Sequence, residues 1–357
     1  MKLKYMVFTL IIVTSFFGCS KEVKKSRLSL KKAFIAENMT NNNAIYTAGI
    51  YKDFIYYLQE YQDKYIIRFM DYDGNEKKKI IIRKGKGPGE VLNCLGLEFI
   101  NDKIYLADNG VQRITILNSD GSYFDEITYD SQTGFIFTFD MYNKNFYYHS
   151  MNSVYFGRIN KKGKSKVYKK RELKGQPEDK ERFMGGVLKV DKNEEKIYFS
   201  HIDPPYRIIE YDLNFNRIEE IRYDYKEKIE PANWLVREGH MSIRGDILAS
   251  SLKLDDKYLY SSLNGGRINR EIGDSLEVIE PRMLVFDKEN HECLAKVNFE
   301  KLDEIRGLFS IIGTTEEYVV LHILENSKRF KKILGNENYE GGGQAILIYK
   351  KGEKFPL

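Results

Sequence analysis

Ile104-Tyr-Leu-Ala-Asp108, a short turn, Arg113-Ile-Thr-Ile-Leu-Asn-Ser-Asp-Gly121 and a closing run to Glu126-Ile127 form the phrase whose reading decides the fold. Apolar and polar residues alternate through it with the period of two that belongs to a strand. Its two halves are joined by the short polar turns of antiparallel hairpins. Relatives of the phrase return at Ile55-Tyr-Tyr-Leu-Gln59, Phe146-Tyr-Tyr-His149, Ile197-Tyr-Phe-Ser-His201, Tyr258-Leu-Tyr-Ser-Ser262 and Tyr318-Val-Val-Leu-His322. A lone four-stranded sheet cannot bury both of its faces, so six copies of one strand-turn-strand unit predict a radial array in which each sheet covers its neighbours. The expected architecture is all-β: a six-bladed β-propeller of four-stranded antiparallel blades.

The turns support that reading. Asp71-Tyr-Asp-Gly74, Asn118-Ser-Asp-Gly121 and Asn160-Lys-Lys-Gly163 are Asx/Gly hairpin turns between the third and fourth strands of their blades. Asn214-Phe-Asn216, Asp287-Lys-Glu-Asn290 and Lys350-Lys-Gly352 fill the same slot with weaker turn chemistry. A second short set joins first and second strands: Asn101 to Lys103, Tyr142 to Asn145, Asp191 to Lys196, Asp255 to Lys257 and Thr314 to Glu317. In such a blade these two sets lie on one face of the disc, and the remaining connections lie on the other. Every long insertion belongs to the second group: Lys169 to Met184, Tyr225 to Met241, Leu263 to Arg282 and Leu324 to Gln344. One face is trimmed and the other elaborated, and loops on a rigid scaffold are where binding is usually carried. Ring closure is expected from Leu28 to Ala36, a strand-like run that would complete the sixth blade and remove an open edge.

Residues 1–18 read as a leader. Lys2 and Lys4 precede an apolar stretch from Tyr5 to Phe17, of secretory length and short for a membrane span. Phe16-Phe17-Gly18-Cys19 has the form of a bacterial lipobox, with Phe16 where Leu is usual, so Cys19 is the expected lipid-attachment residue. Residues 19–27 would be the lipidated N-terminus and tether, and 28–357 the propeller. Ser20 after the cysteine, with no Asp there, points to the outer membrane of the cell envelope. Cys94 and Cys293 fall in opposite blades and are expected to stay unpaired as small buried groups. The chain carries 57 basic and 52 acidic residues for a net charge of +5, which becomes +3 once Lys2 and Lys4 leave with the leader. That mixed-sign surface does not suit a nucleic-acid partner, which would need a concentrated basic face.

The link Arg83-Lys-Gly-Lys-Gly-Pro-Gly-Glu90, followed by the Ile104–Asp108 and Arg113–Ile114 strand pair, resembles the six-bladed β-propeller lipoproteins with TolB-like or NHL-like repeats, common in Bacteroidota. The match is strong over Ile81 to Glu126 and rests on rhythm elsewhere. The resemblance implies a lipid-anchored propeller with no established catalytic residues to carry over. Gly85, Gly87, Pro88, Gly89, Glu90, Asp108 and Arg113 hold the matching positions. The Gly-rich link is not a Walker loop, since no Gly-Lys-Ser/Thr follows. It joins an outer strand to the next inner strand, where glycine permits unusual backbone angles. Asp108 and Arg113 are expected to pair across their turn, as in NHL-type blades.

The second strands end in Gln59, Asp108, Ser150, His201, Ser262 and His322, all polar and all expected toward the elaborated face. Asp108, His201 and His322 alternate round the ring, which invites a metal reading, but second strands stand too far from the axis for bonds of about 2 Å to one ion. A ring of hydrogen-bonding groups is the simpler reading. The insertion from Tyr225 carries the sole tryptophan, Trp234, with Arg237 and His240, a combination suited to anchoring a sugar, peptide or protein or to pinning its own loop. Arg267 and Arg270, with Lys328, Arg329, Lys331 and Lys332, make two further insertions basic. The candidate binding face thus comprises Arg83, Lys86, Glu90, Asp108, Asn109, Arg113, His201, Trp234, Arg237, His240, Arg267 and His322. No nucleophile elbow, His-Glu-x-x-His helix or paired-cysteine metal spacing is present, so no catalytic residue, metal or cofactor is assigned.

Two functions compete. One is a lipid-anchored binding or scaffold protein that presents its loop-rich face to a peptide, glycan or envelope protein. The other is a metal-dependent hydrolase or lyase of the lactonase kind, with its site in the central channel. The second needs several acidic, Asn or His side chains on the inner strands. These are expected at Leu95–Phe99, Phe135–Phe139, Val187–Val190 and Leu248–Leu252, where Glu98 is the lone carboxylate.

Overall fold

The computed structural model describes residues 23–36, 47–129, 136–150, 155–160, 162, 165–169, 186–201, 205–224, 233–237, 240–247, 251–264, 266–268, 282–302, 308–325, 343–352 and 355. All the elements among them are strands. After β1 (Lys24–Ile35), the first sheet is β2 (Ala48–Tyr51), β3 (Phe54–Glu60), β4 (Lys64–Met70) and β5 (Glu76–Arg83). The second is β6 (Cys94–Ile100), β7 (Lys103–Asp108), β8 (Arg113–Asn118) and β9 (Tyr123–Thr128). The third is β10 (Ile136–Tyr142), β11 (Asn145–Ser150), β12 (Tyr155–Asn160) and β13 (Ser165–Lys169). The fourth is β14 (Gly186–Asp191), β15 (Lys196–His201), β16 (Arg207–Asp212) and β17 (Arg217–Arg222). Then come β18 (Asn233–Arg237), β19 (His240–Ile247), β20 (Leu252–Leu254), β21 (Tyr258–Leu263), β22 (Gly266–Ile268), β23 (Arg282–Asp287), β24 (Cys293–Phe299), β25 (Leu308–Thr314), β26 (Tyr318–Glu325) and β27 (Gly343–Lys350).

Strands β20, β21, β23 and β24 form a fifth antiparallel group, and β25, β26 and β27 a sixth. The N-terminal strand joins the two into one eight-stranded sheet. Ser29–Ile35 runs antiparallel to β27, and Lys24–Leu28 runs parallel to β24. The strand begins ahead of Leu28, the expected start, because its first residues find the free edge of β24. The first strands meet in cyclic order: β2 with β6, β6 with β10, β10 with β14, β14 with β20, β20 with β25, and β25 with β2.

Packing follows the same order. Six apolar clusters are each built from two successive sheets. Tyr56, Leu58 and Ile67 of the first sheet, for example, meet Leu97, Leu106 and Leu117 of the second. Tyr147 of the third meets Leu188, Phe199 and Tyr211 of the fourth. Each sheet therefore has both faces covered by neighbours, which is why the repeating phrase is apolar at so many consecutive positions. The architecture is all-β and β-propeller-like.

The tight turns are where the sequence places them. Asn101 and Asp102 (φ 48° and 57°) and Asn143 and Lys144 (φ 48° and 62°) supply the paired positive φ of two-residue hairpins. The turn at Asn214-Phe-Asn216 draws its strength from Asp212, two residues before it. Asp212 accepts the N–H groups of Asn214 and Asn216 at 2.8 Å each, as Asp71 does for Asp73 and Asn75, and Phe215 takes the φ of 60° usually left to glycine. Cys94 is buried and Cys293 half-buried, both unpaired, and burial pushes the Cys293 thiol up to about 11.

Two inner strands run past their expected ends: the third continues from Phe139 to Tyr142, and the fifth, Leu252–Leu254, continues past Leu252, while residues 248–250 lie outside the described ones. Cys19 and most of the Lys169–Met184 and Leu324–Gln344 insertions lie outside the described residues.

Candidate functional site

The Gly-rich link is held by one arginine. Arg113, almost fully buried at the start of β8, donates to the carbonyl oxygens of Lys86 (3.0 Å), Gly87 (3.0 Å) and Glu90 (2.6 Å) and to the Glu126 carboxylate (3.0 Å). Its Nε lies 3.7 Å from Asp108. Asp108, at the end of β7 and fully buried, accepts the backbone N–H groups of Leu92 (3.0 Å), Asn93 (3.0 Å) and Gly110 (3.1 Å). Glu90 folds back onto Gly87 N–H at 2.9 Å, in space that a side chain on Gly85 or Gly87 would fill. The expected Asp108–Arg113 pairing is present, and both groups also grip backbone. Arg83 and Lys86 are exposed beside this junction.

The polar ends of the second strands serve neighbouring strands. Asn109 accepts Ile136 N–H at 2.7 Å and donates to Ile136 O at 2.9 Å, tying the second sheet to the start of β10. Asn264 takes Phe309 N–H at 3.2 Å and so ties the fifth group to β25. Gln59 meets Arg68 and Tyr61, and Ser262 accepts Ser251 N–H at 3.0 Å. His201 is buried edge-on to Phe199. His322 pairs with Gln344 at 3.0 Å, and burial brings its imidazole down to about 4. Among the described residues no group of three or more His, Cys, Asp or Glu is arranged to hold a metal ion.

A different polar set gathers at the axis. The repeated aromatic of the second strands has a register partner on each inner strand. The pairs are Gly49 with Tyr56, Glu98 with Tyr105, Asp140 with Tyr147, Lys189 with Tyr198, Lys253 with Tyr260, and Gly313 with Val320. One level of the ring therefore reads Gly, Glu, Asp, Lys, Lys, Gly. The glycines stand where neighbours already fill the space: a Cβ on Gly49 would come within 2.6 Å of the Tyr56 hydroxyl, and one on Gly313 would strike Ile50. Glu98 is not the lone inner carboxylate, because the longer β10 adds Asp140. The fifth strand, continuing past Leu252, adds Lys253.

Glu98, Lys189 and Lys253 border a cavity of about 20 Å³. Five inner strands line it, with Glu98 from β6, Thr138 from β10, Lys189 from β14, Ser251 and Lys253 beside or on β20, and Ile311 from β25. Lys189 bonds Glu98 across the channel. Burial acts to lower the Lys189 ammonium, but Glu98 and Asp140 outweigh it and hold it above its ordinary value. Asp140 is turned to backbone, accepting Met141 N–H at 2.8 Å and Val190 N–H at 3.1 Å, with Lys192 at 3.6 Å. Lys253 is half-buried and, among the described residues, without a hydrogen-bond or ion-pair partner. Burial and then the Lys189 charge bring it down to about 8.

The insertions supply the third feature. Strands β18 and β19 lie in the link between fourth and fifth groups, and β22 lies in the loop between β21 and β23. The three form one sheet, ordered β18-β19-β22. Its registers pair Trp234 with Ile243, Val236 with Met241, Arg237 with His240, and Arg267 with Asp246. Sequence reading treated these segments as separate loops, because nothing local marks pairing between insertions that stand apart in the chain.

No protein-family model matches the chain, and no curated protein does. Solved structures do. A member of the DUF4221 family from Bacteroides vulgatus is 12% identical, covers 93% of this chain and 99% of its own, and superposes with a TM-score of 0.57. A protein from Bacteroides fragilis described as exported is 11% identical over 92% of this chain and 100% of its own, with a TM-score of 0.51. At that identity the likeness shows a fold, β-propeller-like, and no activity. Virginiamycin B lyase from Staphylococcus aureus, 10% identical over 89% of this chain and 99% of its own at a TM-score of 0.44, is too distant to carry an argument.

Proposed function

We propose that this chain is an exported, lipid-anchored binding protein of the cell envelope. Its six sheets act as the blades of a propeller that β1 closes through β27, in the manner of the NHL-like and TolB-like lipoproteins its link sequence resembles. Export is consistent with the description of the Bacteroides fragilis structure. With Cys19 lipidated and β1 starting at Lys24, Ser20 to Val23 would reach at most about 14 Å, which would hold the rim of the fifth and sixth blades close to an outer-membrane surface.

The observation that carries the binding reading is the sheet β18-β19-β22. Two insertions assigned to the same side of the disc join in one platform, a three-stranded antiparallel sheet. A fold that needed only to close its ring would not require it. In this reading the strands that carry Arg237, His240, Arg244 and Arg267 are offered to a peptide, glycan or envelope protein. Arginine suits that task through its rigid fork of donors.

Thermal-shift screening of the purified protein against peptides and envelope glycans, paired with elemental analysis, tests this. At least one such ligand is expected to raise the melting temperature. The combined Arg237→Ala and Arg267→Ala variant should lose that shift while melting where the parent does, and Trp234→Ala should melt lower without ligand. A screen with no shift, or a shift indifferent to both arginines, would refute the reading. The metal-dependent alternative would have to draw on Glu98 and Asp140, and these carboxylates are already engaged by Lys189 and by backbone N–H groups. Stoichiometric metal, with Zn²⁺ or Ca²⁺ shifts abolished by Glu98→Gln, would restore that alternative.

A further inference from the structure

The axial cavity has more donors than acceptors to meet them. Its charged lining is Glu98 from β6 and Lys189 and Lys253 from β14 and β20. The first two pair with each other, so one ammonium is left over. Asp140 on β10 is committed to Met141 and Val190 N–H, while β2 and β25 bring only Gly49 and Gly313 to this level. The hydroxyls add to the imbalance. Thr138 accepts Leu188 N–H at 3.4 Å and Ser251 accepts Ile311 N–H at 2.8 Å, which leaves each hydroxyl its own proton to donate.

A half-buried ammonium without a partner, beside a second ammonium, is costly to keep in a folded protein. Methionine or leucine would fill the same position at no such cost. The arrangement is economical if a negatively charged guest completes it. Size then limits the guest: a cavity of about 20 Å³, partly open to solvent, admits a small anionic head group and not a sugar ring. A planar carboxylate can accept from an ammonium on one oxygen and from a hydroxyl on the other.

We propose that the axial cavity is an anion site that takes the carboxylate group of a small molecule, held by Lys253 and Lys189 with Thr138 and Ser251 as hydroxyl donors. The site is separate from the platform and needs none of its residues. It is a site of one charge on the axis, lined by five strands.

Linkage fixes the behaviour. The anion binds the charged form of Lys253, so affinity falls as pH rises through the range where that ammonium titrates, about tenfold per pH unit once it is past. Isothermal titration calorimetry of the purified protein in chloride-free buffer, with acetate, inorganic phosphate, triglycine and triglycine amide as probes, reads this directly. Acetate is expected to bind saturably at one site at pH 7, to weaken above pH 8, and to bind at least about tenfold more weakly to Lys253→Met. Lys253→Arg should keep the site and lose its pH dependence, which separates charge from mere occupancy. Triglycine binding that the amide does not share would assign the carboxylate to a peptide end, and acetate binding alone would assign it to a free small acid.

Preference for phosphate over both would overturn the carboxylate assignment. No saturable binding of any probe, or acetate affinity unchanged in Lys253→Met, would overturn the site itself. None of these readings involves a partner of the platform, so the binding-protein proposal and this one fail separately.

Discussion

Two parts of this molecule bury charge, and they do so to opposite ends. At the junction of the first two sheets, Asp108 and Arg113 are engaged on nearly every side, with the Arg113 Nε left 3.7 Å from Asp108 and without a hydrogen bond. Three backbone N–H groups meet the carboxylate, and three backbone carbonyls and Glu126 meet the guanidinium. At the axis, Glu98 and Lys189 satisfy one another and Lys253 is left over. Another buried lysine is paired: Lys288, just as hidden as the core aliphatics, bonds Asp191 and lies 3.7 Å from Glu194. Saturation marks a group that holds the fold, and unused capacity marks a group held by the fold for something else. Burial and charge alone do not separate the two.

The largest effect is expected where buried charge is most heavily engaged. Arg113→Met strips donors from the carbonyls of Lys86, Gly87 and Glu90 and leaves Asp108 buried without its cation. Removing one partner of such a pair costs about 3–5 kcal/mol, read as a lowered midpoint in urea with an unchanged slope. Arg113→Lys should recover little of this, because one ammonium cannot reach three carbonyls placed for a planar fork. A cost under about 1 kcal/mol for either variant would mean that the link holds itself and that the comparison has misjudged the junction.

His322 sharpens the contrast by titration. It is buried against Gln344 with its imidazole brought down to about 4, against 6.5 in an unfolded chain. The unfolded state therefore takes up the proton first as pH falls. Stability contributed by the neutral imidazole is intact above pH 6.5 and is lost progressively down to pH 4, by about 3 kcal/mol in all. Chemical denaturation across that range should show the slope, and His322→Asn should flatten it. An equal slope in the variant would assign it to carboxylates instead.

Much of this was readable from the chain, and the unreadable part has physical causes. The sheets follow from the recurring Ile-Tyr-Leu phrase, because a face covered on both sides must be apolar at successive positions. The hairpins follow from Asn101-Asp102 and Asp71-to-Gly74, whose side chains and φ values are local properties. The pairing of Asp108 with Arg113 was legible because both flank one turn. Asp140 and Lys253 were missed through strand ends misplaced by a few residues, which removes a residue from the axial level. The aromatic of each second strand, followed to its partner, would have found them: Tyr147 leads to Asp140 and Tyr260 to Lys253. The platform and the parallel pairing of β1 with β24 were beyond local reading, since each joins segments far apart in sequence.

The smallest effect has the reverse sign. Lys253 is brought down to about 8 while an unfolded lysine titrates near 10.5, so keeping it charged below pH 8 works against the fold. Replacing it with methionine removes that cost and keeps the aliphatic stem. After allowance for the water that reaches a half-buried amine, the gain at pH 7 should be about 1 kcal/mol. It should shrink as pH rises from 8 and be gone above about 10.5, where parent and unfolded chain are both neutral. A gain of that form would show that the fold keeps Lys253 at a cost, as a residue retained for a guest would be. A loss instead would mean that the ammonium has a partner within the fold, and the axial charge would then belong with Asp108 and Arg113.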